Sequence, residues 1–276
     1  MKLLAAAVQM LASSDKKANL QEAENSLRQA HAQGARLVVL PEVFNWRGPL
    51  KQRTAAEPIP GPTSNHMANL AQDLGIYLLA GSILESVADG NKAYNTSLFF
   101  NPQGALLAKY HKIHLFDVDV TDGIAALESE ARLAGGEVVV AETEFCPVGL
   151  TICYDLRFPE LYRHLVEIGA QIIFVPSAFT AFTGQAHWEP LLRARAIENQ
   201  VYILAPDQMG HAPKSIPSYG HSMIVDPWGR VLAEASDVPE VIFAEIDLAY
   251  LVKVRRELPA LSHRKEFLMR GSAAKR

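Results

Sequence analysis

The chain has 276 residues and a formal net charge of −4, with 20% charged and 49% hydrophobic residues. That composition fits one globular domain over residues 1–276, large enough to bury roughly 70–75% of its unfolded surface without a covalent staple. Lysines and arginines are scattered, no apolar run approaches the ~20 residues of a membrane span, and two cysteines are too few for a disulfide scaffold. Nucleic-acid-binding, membrane-embedded and disulfide-stapled classes are set aside, and a reducing cytoplasm is expected.

Residues 3–10 are apolar and of strand length. Behind Met1-Lys2 they also have the outline of a short signal peptide, but the helix that follows at once favours a first buried strand. Ala18, Leu20, Ala23, Leu27 and Ala30 recur at helical spacing, and Gly34 closes that helix. Residues 37–40 form a buried strand stopped by Pro41. A second helix is predicted over about 63–74, ending at Gly75. Residues 76–83 and 95–100 read as strands, and Asn101-Pro102-Gln103-Gly104 turns into a further strand over 105–109. The stretch 117–137 is weakly periodic and acidic, an irregular connection of a kind that is often functional.

Strands are expected at 138–141 and 148–152, a helix over about 159–168, and a strand at 172–175. A helix over 188–199 and a strand at 201–205 follow. The chain ends β-rich, with 221–225, the turn Asp226-Pro227-Trp228-Gly229, 231–235 and 241–246, then a basic tail from about 254 broken at Pro259. Such mixing of strands and helices gives an α/β fold of two mixed sheets covered by outer helices. There is no dinucleotide fingerprint, P-loop or G-x-S-x-G elbow. The nine histidines show no zinc-ligand spacing, so no metal is expected.

Three strand ends carry chemistry. Gly149-Leu150-Thr151-Ile152-Cys153-Tyr154-Asp155-Leu156-Arg157-Phe158-Pro159-Glu160 runs from a buried strand to a helix start. It places the Cys153 thiol at a carboxyl strand end, where α/β sheets bind ligands. Backbone N–H groups just beyond it can face one spot, as a nucleophile with an oxyanion to stabilise requires. The alternative is a packed strand-end cysteine, which is also the reading of Cys146. The strand 37–40 leads through Pro41 to Glu42, and 105–109 leads through Tyr110-His111 to Lys112. Either charge alone reads as a solvated loop residue. A thiol, a carboxylate and an ammonium, each just past an apolar strand, together make a nucleophile, a base and an oxyanion donor.

Leu40-Pro41-Glu42, Tyr110-His111-Lys112-Ile113-His114-Leu115-Phe116-Asp117 and the 149–160 segment resemble the three signature blocks of the carbon–nitrogen hydrolase (nitrilase) superfamily. Ala186-His187-Trp188-Glu189, the 193–200 segment and the 219–229 segment fit the same pattern, in order from Leu3 to about Arg264. The resemblance implies a four-layer αββα sandwich that usually dimerises, so a homodimer or higher homo-oligomer is expected. It implies Glu42 as general base, Lys112 as oxyanion stabiliser and Cys153 as nucleophile. It also offers Glu128, in Leu127-Glu128-Ser129, as a second active-site glutamate. Around Glu128 the sequence departs from the pattern, with Ala125-Ala126 where relatives often carry aromatic residues and Leu133-Ala134-Gly135-Gly136 where Pro-Gly is common.

The implied reaction is hydrolysis of a non-peptide amide through a thioester, with no metal or organic cofactor. The Lys112 ammonium is expected to favour the Cys153 thiolate. Within the superfamily the chain is similar to the branch of deaminated-glutathione amidases and ω-amidases, so the expected partner is a small amide bearing a carboxylate. The backbone N–H of Tyr154 would join Lys112 at the oxyanion. Arg157 would either pair with the substrate carboxylate through its planar fork or form an ion pair with Asp155 or Glu160. Phe179 and Thr180 would wall the pocket, with His187 a further candidate. A Cys153–His187 hydrolase would leave Glu42 and Lys112 without roles. An inactive scaffold is opposed by the intact triad, and redox chemistry by Cys146 and Cys153 lacks C-x-x-C spacing. An aliphatic nitrile, handled by a different branch, is the alternative substrate.

Overall fold

A computed structural model describes residues 1–49, 55–88, 90–120, 124–213 and 215–265. The first half of the chain supplies β1 (Lys2–Gln9), β2 (Leu37–Val39), β3 (Tyr77–Leu79), β4 (Ile83–Ser86), β5 (Ala93–Phe100) and β6 (Leu106–His111). The short β7 (Asp117–Asp119), β8 (Ala125–Leu127) and β9 (Arg132–Leu133) follow. The second half supplies β10 (Val140–Ala141), β11 (Val148–Leu150), β12 (Ile172–Phe174), β13 (Tyr202–Ala205), β14 (Met209–Gly210), β15 (Ser218–Tyr219), β16 (Met223–Val225), β17 (Val231–Glu234) and β18 (Glu240–Asp247). The helices are α1 (Lys16–Ala32), α2 (Pro62–Leu74), α3 (Pro159–Glu167), α4 (Ala181–Asn199) and α5 (Leu248–Glu257).

One sheet runs β18-β1-β2-β3-β5-β4, with β6 and β9 also paired to β5; the other runs β10-β11-β12-β13-β16-β17. Both are mixed. β1, β2 and β3 are parallel neighbours, as are β11, β12 and β13, and antiparallel strands flank each trio. Alternation along the strands assigns the faces. Ala5, Ala7, Leu37 and Val39 pack into the core shared by the two sheets, whereas Ala6, Val8, Val38 and Leu40 pack under α1 and α2. On the far side, Leu161 and Leu165 of α3 and Trp188, Leu192 and Ala196 of α4 close over the second sheet. The layers are α, β, β, α.

Helix boundaries follow local chemistry. The Asp15 carboxylate caps α1 by accepting from the Ala18 N–H at 3.0 Å, Pro62 and Pro159 open α2 and α3, and Gly75 ends α2 in the left-handed region.

The structure differs from the sequence reading in four places. The segment 76–83 is split, because Gly81 turns the chain away at φ +43°; a Cβ there would sit 1.9 Å from the Pro41 carbonyl oxygen. The connection 117–137 holds a β7–β8 ribbon and a 3-10 turn at Glu128–Glu130, with 121–123 outside the described residues. Helix α4 starts seven residues earlier than expected, at Ala181, capped by the Thr180 hydroxyl. The tail begins later than 254: Leu248, Leu251 and Val254 of α5 are buried in the body. Residues 266–276 of the tail lie outside the described residues.

Candidate active site

Both β2 and β11 end at the same edge of the sandwich, and the residues just past them leave the strand sharply. After β2, Pro41 and Glu42 are followed by Val43 at φ +47°, held by a hydrogen bond from its N–H to the Ser82 hydroxyl at 2.9 Å. After β11, Cys153 itself sits at φ +47° and opens a 3-10 turn over Cys153–Arg157. Left-handed backbone at a residue other than glycine costs on the order of 1–2 kcal/mol and persists only where surroundings fix it. Here the Cys153 N–H donates to the Pro176 carbonyl at 3.0 Å. Asp155, fully buried, accepts from the Ile152 N–H at 2.9 Å, from the Tyr110 hydroxyl at 2.7 Å and from the His114 N–H at 3.0 Å. One carboxylate thus ties the cysteine turn to the strand end that delivers Lys112.

Glu42, Lys112, Glu128 and Cys153 come together and are all buried. Lys112 Nζ lies 3.0 Å from Glu42 Oε1 and 2.9 Å from Glu128 Oε2. Glu42 Oε1 also accepts from Asn95 Nδ2 at 2.8 Å, and Glu42 Oε2 accepts from the Ala178 N–H at 2.8 Å. Glu128 Oε2 further accepts from the Phe116 N–H at 2.8 Å. Burial alone would discharge Lys112, but Glu128, Glu42 and Cys153 reverse that and hold its pKa well above the usual ammonium value. Burial likewise opposes a charged Glu128, yet Lys112 and the Phe116 N–H bring its pKa below the ordinary carboxylate value.

Cys153 behaves differently from the sequence expectation. Burial first, and then the Glu42 charge, push the thiol well above its usual range; Lys112 and the Ala178 N–H only partly offset them. Burial and Glu42 thus favour the neutral thiol of Cys153 over the thiolate.

A narrow cleft reaches Cys153 from outside, lined also by Phe116, Tyr154, Arg157, Ala178, Phe179, Thr180 and Thr183. Glu42, Lys112 and Glu128 are buried and do not line it. Tyr154 packs edge-on to Phe116 and Phe158, and Phe179 leans on Trp188. The Arg157 guanidinium lies over the Tyr154 ring at 5.7 Å and the Phe179 ring at 5.1 Å. Its polar contact is His187 Nδ1 at 3.2 Å, not Asp155 or Glu160, so the expected structural ion pair is replaced by ring stacking. His187 is exposed on α4, and among the described residues lining the cleft there is no histidine. That geometry withdraws the cysteine–histidine alternative. Thr180 has two uses, as a cleft wall and as the cap of α4.

Sequence reasoning missed four contributors. Asn95 was read only as the start of a strand. Phe116 and Thr183 line the cleft through loop and helix positions that periodicity cannot assign. Asp207, fully buried, accepts from the N–H groups of Phe179 at 2.8 Å and Gly220 at 3.1 Å, and thereby sets the cleft wall. Among the described residues no group of histidine, cysteine or carboxylate side chains is arranged to hold a metal ion.

The Carbon-nitrogen hydrolase family matches residues 4–256. A deaminated glutathione amidase from Synechocystis is 46% identical over 268 residues, covering 95% of this chain and 97% of that protein. The omega-amidase NIT2 of Xenopus tropicalis is 44% identical over 262 residues, covering 95% and 94%. The crystal structure of Saccharomyces cerevisiae Nit3, a member of branch 10 of the nitrilase superfamily, superposes with a TM-score of 0.84 at 38% identity, covering 94% of each chain. The chain belongs to the carbon–nitrogen hydrolase family. It is a hydrolase of carbon–nitrogen bonds other than peptide bonds, in the amidase range of that family.

Proposed function

We propose that the chain hydrolyses the amide of a small carboxylate-bearing substrate, deaminated glutathione first among them, with Cys153, Glu42 and Lys112 as the reacting groups. The observation that carries this reading is a thiol at the floor of a cleft, backed by a buried carboxylate–ammonium–carboxylate row.

Sγ of Cys153 attacks the amide carbonyl while Glu42 takes the thiol proton. The oxyanion that forms is stabilised by Lys112 Nζ and the Tyr154 N–H; losing one such donor typically costs ~10²–10³ in rate. Collapse breaks the C–N bond, and Glu42 returns the proton to the departing amine. A water then gives its proton to Glu42 and attacks the thioester, and the C–S bond breaks with the thiol reprotonated. Glu128 does no proton transfer in this scheme; it holds Lys112 in place. Deaminated glutathione releases a dipeptide amine, whereas a simple ω-amide releases ammonia, so the departing side of the cleft must be open.

Arg157 supports the choice of substrate. It lies at the cleft with its guanidinium braced by two rings, the arrangement in which a planar fork binds a carboxylate with little loss of freedom. The two cysteines are free, which suits a reducing cytoplasm, and no described helix is long and apolar enough to cross a membrane. A homodimer is part of the proposal. Leu161 and Leu165 of α3 are buried in the chain's own core and offer no dimer surface, while Ile168, just past that helix, is exposed.

The test is kcat/KM on deaminated glutathione, α-ketoglutaramate and an aliphatic nitrile, read as acid product. One of the two amides is expected to lead, and Arg157→Met is expected to raise KM for it at least tenfold with a smaller change in kcat. A nitrile preferred tenfold over both amides overturns the substrate assignment. Unchanged KM in Arg157→Met removes that residue from recognition.

A further inference from the structure

We propose that Asn95 is a positioning residue for the hydrolysis, orienting the Glu42 carboxylate and setting the spacing of the Glu42–Lys112–Glu128 row. The inference rests on the proposed roles of Glu42 and Lys112.

Asn95 is only 2% exposed and lies in β5, which pairs with β4 and β6 in the first sheet. It touches all three charged members of the row. Its Nδ2 donates to Glu42 Oε1 at 2.8 Å and faces Glu128 Oε1 at 3.5 Å. Its backbone carbonyl accepts from the Lys112 N–H at 2.9 Å. The amide orientation is fixed by chemistry, because turning the carbonyl toward two carboxylates would set oxygen against oxygen. Its Oδ1 is buried and accepts from no protein group among the described residues.

The electrostatic need is plain. Glu42 and Glu128 bind the same ammonium, and each like charge raises the other's proton affinity. A neutral donor between them offsets that repulsion without adding a charge that would compete with Lys112. The other charged or titratable groups within electrostatic reach of Glu42 are Lys112, Cys153, Asp207, Arg47 and Arg132. Of these Lys112 alone is hydrogen-bonded to Glu42, so Asn95 is the neutral side chain that completes Oε1.

Asn95 does not line the cleft, and substrate does not reach it. Its loss acts on kcat and on proton affinity, not on binding. Asn95→Leu keeps the side-chain volume and removes the donor. Steady-state rates on an ω-amide across pH are expected to show kcat at least tenfold lower with KM within about threefold. The acid limb of kcat/KM moves upward, since Asn95 is one of the donors that hold the Glu128 carboxyl of the row below its ordinary value. Asn95→Asp, which places a third carboxylate in the row, moves the limb further in the same direction. Where Asn95→Leu does not fold by circular dichroism, Asn95→Ser, too short to reach Glu42, carries the same expectation.

A folded variant with the wild-type acid limb and kcat within twofold overturns the inference. The reading beneath it is tested separately by Glu42→Gln. If Glu42→Gln is inactive while the Asn95 variants keep the wild-type profile, Asn95 alone is ruled out. If Glu42→Gln retains activity, the base assignment itself fails.

Discussion

Replacing Lys112 by methionine should separate what the buried row does for stability from what it does for catalysis. Lys112 is 2% exposed and lies 2.9–3.0 Å from two carboxylates that are themselves buried. At an effective dielectric of ~20, each contact is worth about 5–6 kcal/mol of Coulomb attraction, most of which offsets the desolvation of three ions. Removing the shared partner leaves two uncompensated carboxylates, so the net loss is about 3–5 kcal/mol at pH 7. The sign with pH follows. Without the ammonium, burial dominates at Glu128 and its folded-state pKa rises above its unfolded one. That penalty is present at neutral pH and shrinks as pH falls toward the ordinary carboxylate range of about 4.3. Adding Glu128→Gln to Lys112→Met removes one of the stranded charges and should restore part of the stability, while activity stays at least ~10²-fold down for want of the oxyanion donor. Urea unfolding at pH 5 and 7, with kcat measured on the same samples, tests both halves. A Lys112→Met protein within 1 kcal/mol of wild type at pH 7, or a double variant with restored turnover, would refute the reasoning.

Cys153→Ala should abolish turnover with the fold intact, whereas Cys146→Ala keeps most of the activity; circular dichroism and product release decide it. Burial pushes the Cys146 thiol up to about 12, so iodoacetamide at neutral pH should leave it unmodified by mass spectrometry, and adduct at Cys146 before Cys153 counts against the model of the site. Burial opposes the charge of Glu85, but His111, Lys109 and Thr96 outweigh it and bring the carboxyl down to about 2. Glu85→Gln should therefore cost about 1–2 kcal/mol above pH ~4.5, with the difference from wild type fading as pH falls from there toward 2, read by thermal or urea unfolding. Light scattering at micromolar concentration should give at least twice the chain mass; a stable monomer rules out the dimer.

The strand ends were the legible part of this sequence. A buried strand must stop where its hydrophobic run stops, so Pro41-Glu42, His111-Lys112 and Ile152-Cys153 mark strand ends in one dimension. The topology brings them to one edge because β2 and β11 are parallel members of facing sheets. Glu128 was legible only through its surrounding block, since its own segment has no periodicity. What was not legible depends on contacts distant in sequence. The first turns of α4 contain Phe182-Thr183-Gly184, poor helix formers. They are helical because Thr180 caps them and the Tyr219 ring sits where a Cβ on residue 184 would fall, 2.3 Å away. Asn95 looks like any polar residue opening a strand until Glu42 arrives from 53 positions earlier in the chain.

The raised pKa of Cys153 is the least legible feature and the one that most constrains the chemistry. A cysteine, a lysine and a glutamate read from sequence suggest an ion-paired thiolate, because the ammonium is the obvious partner for sulfur. In the folded chain that ammonium is already shared between two carboxylates, and the buried thiol lies within electrostatic reach of Glu42. Lys112 therefore has little charge to spare for sulfur in the resting state. Under the proposed mechanism its attraction becomes available when negative charge moves from Glu42 to the substrate: protonating Glu42 releases one of the lysine's two carboxylate partners as the oxyanion forms. Proton transfer to Glu42 and stabilisation of the oxyanion are then one event, and a group that binds the transition state more strongly than the ground state accelerates the step. On this reading the burial that makes Cys153 a poor thiolate is what lets Lys112 act where the new charge appears.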